Sequence, residues 1–327
     1  MRIAVDAMGG DFAPGEIVRG ALEASAQADF KDEIVLVGDE TAIRTELTQG
    51  GPYSDLISIV HASESIGMTE HPAQAMKRKR DSSLVICAKL VKSGEVDGTF
   101  SAGNSGAAMA IALYDIGRTA GVERPAIATI LPTLKGPVLL LDAGANVDCS
   151  PQNLLQFAQL GSIYADKVLG LSNPSVGLLN VGSEVGKGNE LSKASYQLLA
   201  ESGLNFYGNV EGNDVFDRTT DVIVCDGFVG NVLLKSSEGV SELIINVLRS
   251  ELSSGSSDID RQVSRQIGKA LSKFDYAETG GAPLLGIDGV AFIGHGRSQA
   301  RAIASAIRAT LSAASSGYLA EVRNVIA

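Results

Sequence analysis

SAGNSGAA, residues 101–108, follows a short extended run over residues 96–100 and leads into the apolar segment 107–113. Strand, glycine-rich turn and helix in that order aim unpaired backbone N–H groups at one point. There they and the helix dipole favour a phosphate or a carboxylate. Gly103 and Gly106 permit close backbone approach, and Asn104 and Ser105 add side-chain hydrogen-bonding groups. Neither the P-loop spacing nor the dinucleotide-binding glycine pattern is present. A single turn of this kind is equally an ordinary βα connection, so its weight depends on the rest of the chain.

The same order recurs on both sides of it. Residues 3–5 form an apolar strand that runs into Asp6-Ala-Met-Gly-Gly-Asp11, with Pro14 at the head of a helix over 16–26. The pair 126–131 and 137–141 reads as two strands, a hairpin that ends in Asp142-Ala-Gly-Ala-Asn-Val-Asp148-Cys149. Strand 176–181 runs into a loop that places Lys187 between Gly186 and Gly188 at a helix entrance, where a mobile point charge can neutralise a phosphate. Strand 222–230 carries Asp226 and ends at Asn231, and strand 290–293 ends in Gly294-His295-Gly296-Arg297-Ser298. Six such strand ends imply an α/β fold with one large sheet covered by helices on both faces, and a glycine-lined site of phosphate size. Residues 280–289, GGAPLLGIDG, open the last unit, ahead of strand 290–293, and are assigned no element of their own.

Composition narrows the class. A chain of 327 residues with 45% hydrophobic content, 37 glycines and no Trp suits a globular α/β enzyme and not a disordered chain. A formal charge of −11 repels nucleic acid and leaves an acidic partner only a local basic patch to dock on. Cys87, Cys149 and Cys225 are widely spaced and odd in number, which argues against a disulfide framework or a zinc cluster. No apolar run reaches the ~20 residues that span a bilayer, and residues 1–11 lack a signal-peptide core. A cytoplasmic protein is expected, with no cofactor and no metal. Cys149 precedes the helix opened by Pro151, where a dipole lowers a thiol pKa, but no histidine has a sequence link to it.

Three stretches look like contact elements. Lys77-Arg78-Lys79-Arg80 is a basic run in an acidic protein. The helix after Asn231 has an apolar face that includes Val232, Val240, Leu243, Ile244 and Val247. Beyond the linker-like SSGSS at 253–257, Arg261, Arg265, Lys269 and Lys273 recur every fourth residue on an amphipathic helix suited to a membrane surface or a docking partner.

Taken together, the motifs DAMGGDFAP (6–14), KRKRDSS (77–83), SAGNSGA (101–107), LDAGANVDCSP (141–151), GLLNVGSEVGKGNE (177–190), VEGNDVF (210–216), VCDGFVGNVLLKSSEG (224–239) and GGAPLLGIDGVAFIGHGRS (280–298) span nearly the whole chain. In that order they resemble the bacterial phosphate acyltransferases of phospholipid synthesis. One soft departure, Ser183-Glu184-Val185-Gly186, leaves the Lys187-Gly-Asn-Glu190 core intact.

The resemblance implies a three-layer α/β/α fold similar to the isocitrate/isopropylmalate dehydrogenases and the phosphotransacetylases. It implies a single catalytic unit over 1–327, with an amphipathic helical region projecting around 238–275. The implied reaction moves a fatty acyl group from acyl carrier protein to inorganic phosphate. A homodimer and loose association with the membrane, or with a membrane-bound glycerol-3-phosphate acyltransferase, are also implied. On that reading Gly103, Asn104, Ser105 and Gly106 hold phosphate, with Lys187 as counter-charge. His295, Asn231 and Asp226 serve the oxyanion or the leaving thiolate, and Asp6, Asp11, Asp142 and Asp148 orient the turns. Lys77–Arg80 and the Arg261–Lys273 helix compete to dock the acidic carrier. An acyl-CoA-dependent phosphotransacetylase and a non-catalytic membrane scaffold are the alternatives; a dehydrogenase would share the fold without sharing the chemistry.

Overall fold

The computed structural model describes residues 1–27, 30–51, 53–253 and 280–326. Eleven strands among them build one sheet: β1 (Arg2–Asp6), β2 (Glu33–Gly38), β3 (Ile57–His61), β4 (Gly98–Ser101), β5 (Ala126–Leu131), β6 (Val138–Leu141), β7 (Val176–Leu179), β8 (Phe206–Val210), β9 (Val222–Val224), β10 (Ala282–Leu285) and β11 (Val290–Ile293). Across the sheet the order is β3-β2-β1-β4-β11-β10-β5-β6-β9-β7-β8.

Strands from β3 to β11 are mutually parallel, as are those from β6 to β8. Between them β11–β10, β10–β5 and β5–β6 are antiparallel, the last being the expected hairpin. Three reversals leave the second half running against the first. The carboxyl ends of β1, β4 and β11 therefore lie at one edge of the sheet, and those of β6, β9, β7 and β8 at the other. All six glycine turns do sit at ends of strands of one sheet, but they are divided between two edges.

Strand β10, antiparallel to both of its neighbours, lies in a stretch to which the sequence pattern assigns no element. Pro283 lacks an N–H, which normally argues against an interior strand. Here Leu284 and Leu285 pair with β5, and Pro283 sits opposite Phe292 of β11.

Both faces of the sheet are covered, which is why its strands read as unbroken apolar runs. On one face Ile3, Val5 and Leu36 pack beneath the helices Gly15–Ser25 and Ala300–Ser315, and Leu139 and Leu141 beneath Pro151–Lys167. On the other, Ala4 and Val35 meet the helix Ser83–Ser93, while Leu140 and Ile223 meet Leu233 and Leu234 of the helix Gly227–Ser253. That makes the three-layer α/β/α arrangement. The outer part of the last helix leaves the sheet with Val240, Leu243, Ile244 and Val247 all exposed. Arg261, Arg265, Lys269 and Lys273 lie outside the described residues.

Two glycines test this packing. A Cβ on Gly20 would fall inside the side chain of Ile303 and 2.8 Å from the Ala300 carbonyl. Gly20→Ala is expected to destabilise the protein by about 1–3 kcal/mol through overpacking. Gly239, mid-helix with nothing near its Cβ position, should gain about 0.5–1 kcal/mol as alanine. Urea unfolding of both variants checks the pair, and equal midpoints would contradict the helix contact.

Candidate active site

The first edge is built by pressing glycine turns together over a buried carboxylate. Asp6 leaves the end of β1 and accepts hydrogen bonds from Ser101 Oγ at 2.7 Å and from the Met8 N–H at 3.2 Å. Ser101 Oγ in turn accepts from the Gly103 N–H at 3.1 Å. A Cβ on Gly9 would lie 2.5 Å from Asp6 Oδ2 and 2.9 Å from the Gly103 nitrogen, so only glycine lets the two turns meet. The Asp11 N–H donates to the Gly296 carbonyl at 2.8 Å, which draws in the loop after β11. Burial pushes the Asp6 carboxyl above its ordinary value, against the pull of its hydrogen-bond donors.

Asn104 is spent within this assembly. Its Oδ1 accepts the Ala107 N–H at 3.0 Å, capping the helix Ser105–Ile111. Its Nδ2 donates to the carbonyls of Met68 at 3.1 Å and Glu70 at 2.9 Å. The expectation that the Asn104 side chain grips phosphate is therefore corrected: it staples residues 67–70 to the turn. The N–H groups of Ser105 and Gly106, the first two of the helix, carry no backbone partner among the described residues. Ser105 is exposed at the same edge, as are His295 and Arg297. His295 Nδ1 accepts the Arg297 N–H at 3.3 Å. Arg297 and the loop at 67–70 were not singled out in the sequence. The loop bore no motif, and only the Asn104 contacts give it a place.

The second edge repeats the device. Asp142, buried at the end of β6, accepts from the N–H groups of Ile127, Gly144, Ala145 and Asn146 at 2.6–3.2 Å, and from Asn146 Nδ2 at 2.9 Å. Burial nonetheless raises its pKa. Gly227 fits closely against this turn: its N–H donates to the Asn146 carbonyl at 2.7 Å, and a Cβ there would meet Asp142 Oδ2 at 2.8 Å. Asp226 accepts the Val229 N–H at 2.9 Å, at the head of the helix Gly227–Ser253. Asn231 is exposed one turn on, with its side chain about 3.4 Å from the Cβ position of Gly144. Asp148 is exposed, and its carbonyl accepts from Arg124 at 3.4 Å.

Lys187 belongs to this second edge, in the loop between β7 and the helix Glu190–Ala200. It is 54% exposed, its ammonium 4.0 Å from Glu184. The turn structure thus groups Asp6, Asp11, Ser105 and His295 on one side, and Asp142, Asp148, Lys187, Asp226 and Asn231 on the other.

Two further sequence features take on local roles. Burial, reinforced by Asp142 and Asp226, pushes the Cys149 thiol up to about 11, opposite to what a reactive nucleophile needs. In the basic run, Lys79 pairs with Glu70 and donates to the Ser65 carbonyl, and Arg80 forms a two-pronged pair with Asp115 while stacking over Tyr114. Only Lys77 and Arg78 remain as exposed charges of that patch.

Against this geometry the comparisons are decisive for the family. The family model described as "Fatty acid synthesis protein" matches residues 1–321. A phosphate acyltransferase of Desulforamulus reducens is 51% identical over 324 residues, covering 99% of this chain and 96% of its own. One from Pelotomaculum thermopropionicum is 49% identical over 328 residues, covering 100% and 95%. The chain belongs to the phosphate acyltransferase family. It is an acyltransferase, and its acyl-transfer chemistry involves phosphate. The fold is shared with a phosphotransacetylase from Streptococcus pyogenes, at a TM-score of 0.64 and 15% identity over 96% of this chain and 94% of that one. It is shared too with a 4-hydroxythreonine-4-phosphate dehydrogenase from Klebsiella pneumoniae, at 0.57 and 14% over 96% and 98%.

The buried carboxylate makes stability depend on pH. Folding raises the pKa of Asp6 above its ordinary 3.8. The folded state therefore holds that proton more tightly, and the contribution is fully present below 3.8 and lost as pH rises through the folded value. In Asp6→Asn the fall in Tm over that window should be smaller than in wild type; matching Tm–pH profiles would remove Asp6 from the account. Separately, Cys149→Ala should keep acyl transfer within about twofold, since a thiol held largely protonated at neutral pH is a poor nucleophile. A hundredfold loss in steady-state turnover would restore the covalent route.

Proposed function

We propose that this phosphate acyltransferase takes a fatty acyl group from the thioester of acyl carrier protein and gives it to inorganic phosphate. The product, an acyl phosphate, would feed phosphatidic acid synthesis. The observation that carries this reading is how the ionisable groups are used. Asp6 and Asp142 are consumed in holding turns and Cys149 is held protonated, while the Ser105 and Gly106 N–H groups lack backbone partners and Arg297 and Lys187 are exposed.

Such a site suits a reaction that needs positioning and charge stabilisation more than a strong base. Inorganic phosphate exists as a mixture of monoanion and dianion at neutral pH and so needs no strong base to become a nucleophile. A thiol of pKa roughly 8.5 leaves as thiolate with little help. A phosphate oxygen attacks the thioester carbon, the carbonyl becomes a tetrahedral oxyanion, and collapse expels the carrier's thiolate. The Ser105 and Gly106 N–H groups and the Ser105 hydroxyl, with Arg297 as a local cation, would seat the phosphate. His295 and Asn231 are placed in the reading as donors to the oxyanion or the thiolate.

Lys187 remains the counter-charge from the second half. Twist of about 20–25° per strand step accumulates across the six steps from β4 through β11, β10, β5, β6 and β9 to β7 to more than 100°. On this reading, a twist of that size would turn the two outer carboxyl edges toward a common side and let Lys187 serve the phosphate.

Docking follows from charge and exposed apolar surface. An acidic carrier would meet Lys77 and Arg78 or the Arg261–Lys273 stretch. The exposed face of Val240, Leu243, Ile244 and Val247 would serve a homodimer contact or a membrane surface that holds the membrane-bound glycerol-3-phosphate acyltransferase. Among the described residues no helix is long and apolar enough to cross a membrane.

The test is acyl phosphate formation, trapped with hydroxylamine, from acyl-carrier and acyl-CoA thioesters side by side. Acyl-carrier donors should give the higher kcat/KM; preference for acyl-CoA would favour the phosphotransacetylase-like alternative. Arg297→Ala and Lys187→Ala should each raise the phosphate KM on the order of tenfold, and wild-type values in both would sink the cation assignment.

A further inference from the structure

Between β3 and the helix Ser83–Ser93 the chain leaves the sheet and returns close to the point it left. Glu64 bridges to Ser82, with the Ser83 N–H donating to the Glu64 carbonyl at 3.1 Å and the Glu64 N–H to the Asp81 carbonyl at 3.3 Å. The residues between these ends form a strap. Ile66 and Ala75 are buried and moor it in the core, while residues 67–69 are exposed.

The strap touches two different loops of the first edge. Asn104, immediately before Ser105, donates through Nδ2 to the carbonyls of Met68 and Glu70. A Cβ on Gly106 would lie 2.8 Å from Pro72 Cγ, so the strap packs against that turn as well as bonding to it. On the other loop, a Cβ on Gly296 would collide with Met68 Cε: the methionine methyl rests on the backbone beside Arg297.

One ion pair holds the strap in shape. The Gly67 N–H donates to Glu70 Oε1 at 2.7 Å, and the Glu70 N–H returns to the Gly67 carbonyl at 3.2 Å. Lys79 binds the same carboxylate oxygen and donates to the Ser65 carbonyl at 2.7 Å, tying the end of the strap to its start. Lys79, with the Gly67 N–H, keeps the Glu70 carboxyl below its ordinary value, so the pair is charged at neutral pH.

We propose that Lys79 is a positioning residue for the phosphate acceptor: through Glu70 and the strap it sets the Ser105–Gly106 turn against the Arg297 loop, and so governs phosphate affinity without touching substrate. The inference rests on the reading above that seats phosphate on these two loops. The chain of contacts is continuous. Lys79 holds Glu70, the 67–70 turn holds the Asn104 amide, and Asn104 Oδ1 accepts the Ala107 N–H of the helix that Ser105 and Gly106 begin. Breaking the ion pair leaves both loops on their own strands. What loosens is the spacing between their donors, and binding an anion between two loops depends on that spacing. A cation that stands in a basic run would thus serve the small anionic substrate and not the acidic carrier.

The experiment follows acyl phosphate formation in wild type, Lys79→Met, Lys79→Arg, Glu70→Gln and Arg297→Ala, varying inorganic phosphate and the acyl carrier thioester separately. Lys79→Met and Glu70→Gln should each raise the phosphate KM on the order of fivefold, the upper range for a partly exposed ion pair. The kcat and the carrier KM should stay at wild-type values. Lys79→Arg keeps a cation beside the carboxylate and should restore the phosphate KM. Glu70→Gln retains an acceptor for the Gly67 N–H, which keeps the test alive if Lys79→Met does not fold. A phosphate KM unmoved in both Lys79→Met and Glu70→Gln, while Arg297→Ala still raises it, overturns the strap and spares the phosphate seat. If Arg297→Ala leaves it unmoved too, seat and strap fall together. A rise in the carrier KM in place of the phosphate KM makes Lys79 a docking cation and overturns the proposal. A loss of kcat alone, which general loosening of the fold would give, overturns it as well.

Discussion

A carboxylate buried at the end of a strand must be surrounded by donors or give up its charge, and this protein places one at each edge of its sheet. Asp6 and Asp142 are the two centres. Each gathers backbone N–H or hydroxyl groups from turns that would otherwise project independently. The glycines are there because the turns approach so closely: a Cβ on Gly9 or on Gly227 would collide with the carboxylate itself. The close approach of the turns at each edge follows from that arrangement. The cost is electrostatic. Both carboxyls sit above their ordinary pKa because burial outweighs the donors they attract.

The two centres stand on opposite edges because three antiparallel pairings in the middle of the sheet reverse its sense. The β5–β6 hairpin makes the net reversal, because the two antiparallel pairings of β10, to β11 and to β5, cancel. The phosphotransacetylase fold from Streptococcus pyogenes matches this architecture at 15% identity. Layer order and strand sense are therefore kept where side chains are not. Function attaches to the strand ends and not to the layers.

Charge behaves in the same local way. A net charge of −11 makes four successive cations at 77–80 conspicuous, yet two of them are committed to intramolecular work. Arg80 holds Asp115 and covers Tyr114; Lys79 keeps the Glu70 carboxyl below its usual range and so fastens the loop that Asn104 also grips. A basic run therefore serves the fold before it serves a partner. Exposed apolar surface is more telling here, since Val240, Leu243, Ile244 and Val247 form a face on one helix that the sheet does not cover.

Much of this was written in local patterns. Apolar runs such as 138–141 and 222–224, bounded by Asp and Gly, could only be strands buried on both faces, and each was followed by a turn and a helical period. Motif order over nearly the whole chain pointed to the family. What local pattern does not carry is partnership over long separations. Pro283 and its glycines disguised β10, because a strand with a missing N–H is recognised only by the neighbours that flank it. Asn104 reads as a ligand group in the sequence, but the carbonyls of residues 68 and 70 use its amide, and the helix start after Cys149 gives no sign that burial, with Asp142 and Asp226 nearby, raises its thiol pKa. The sequence by itself determined the elements, their glycine turns and the reaction family, since these depend on neighbours a few residues apart. Tertiary structure alone decided which turns share an edge and which polar groups are already satisfied, since those depend on residues brought together from distant parts of the chain.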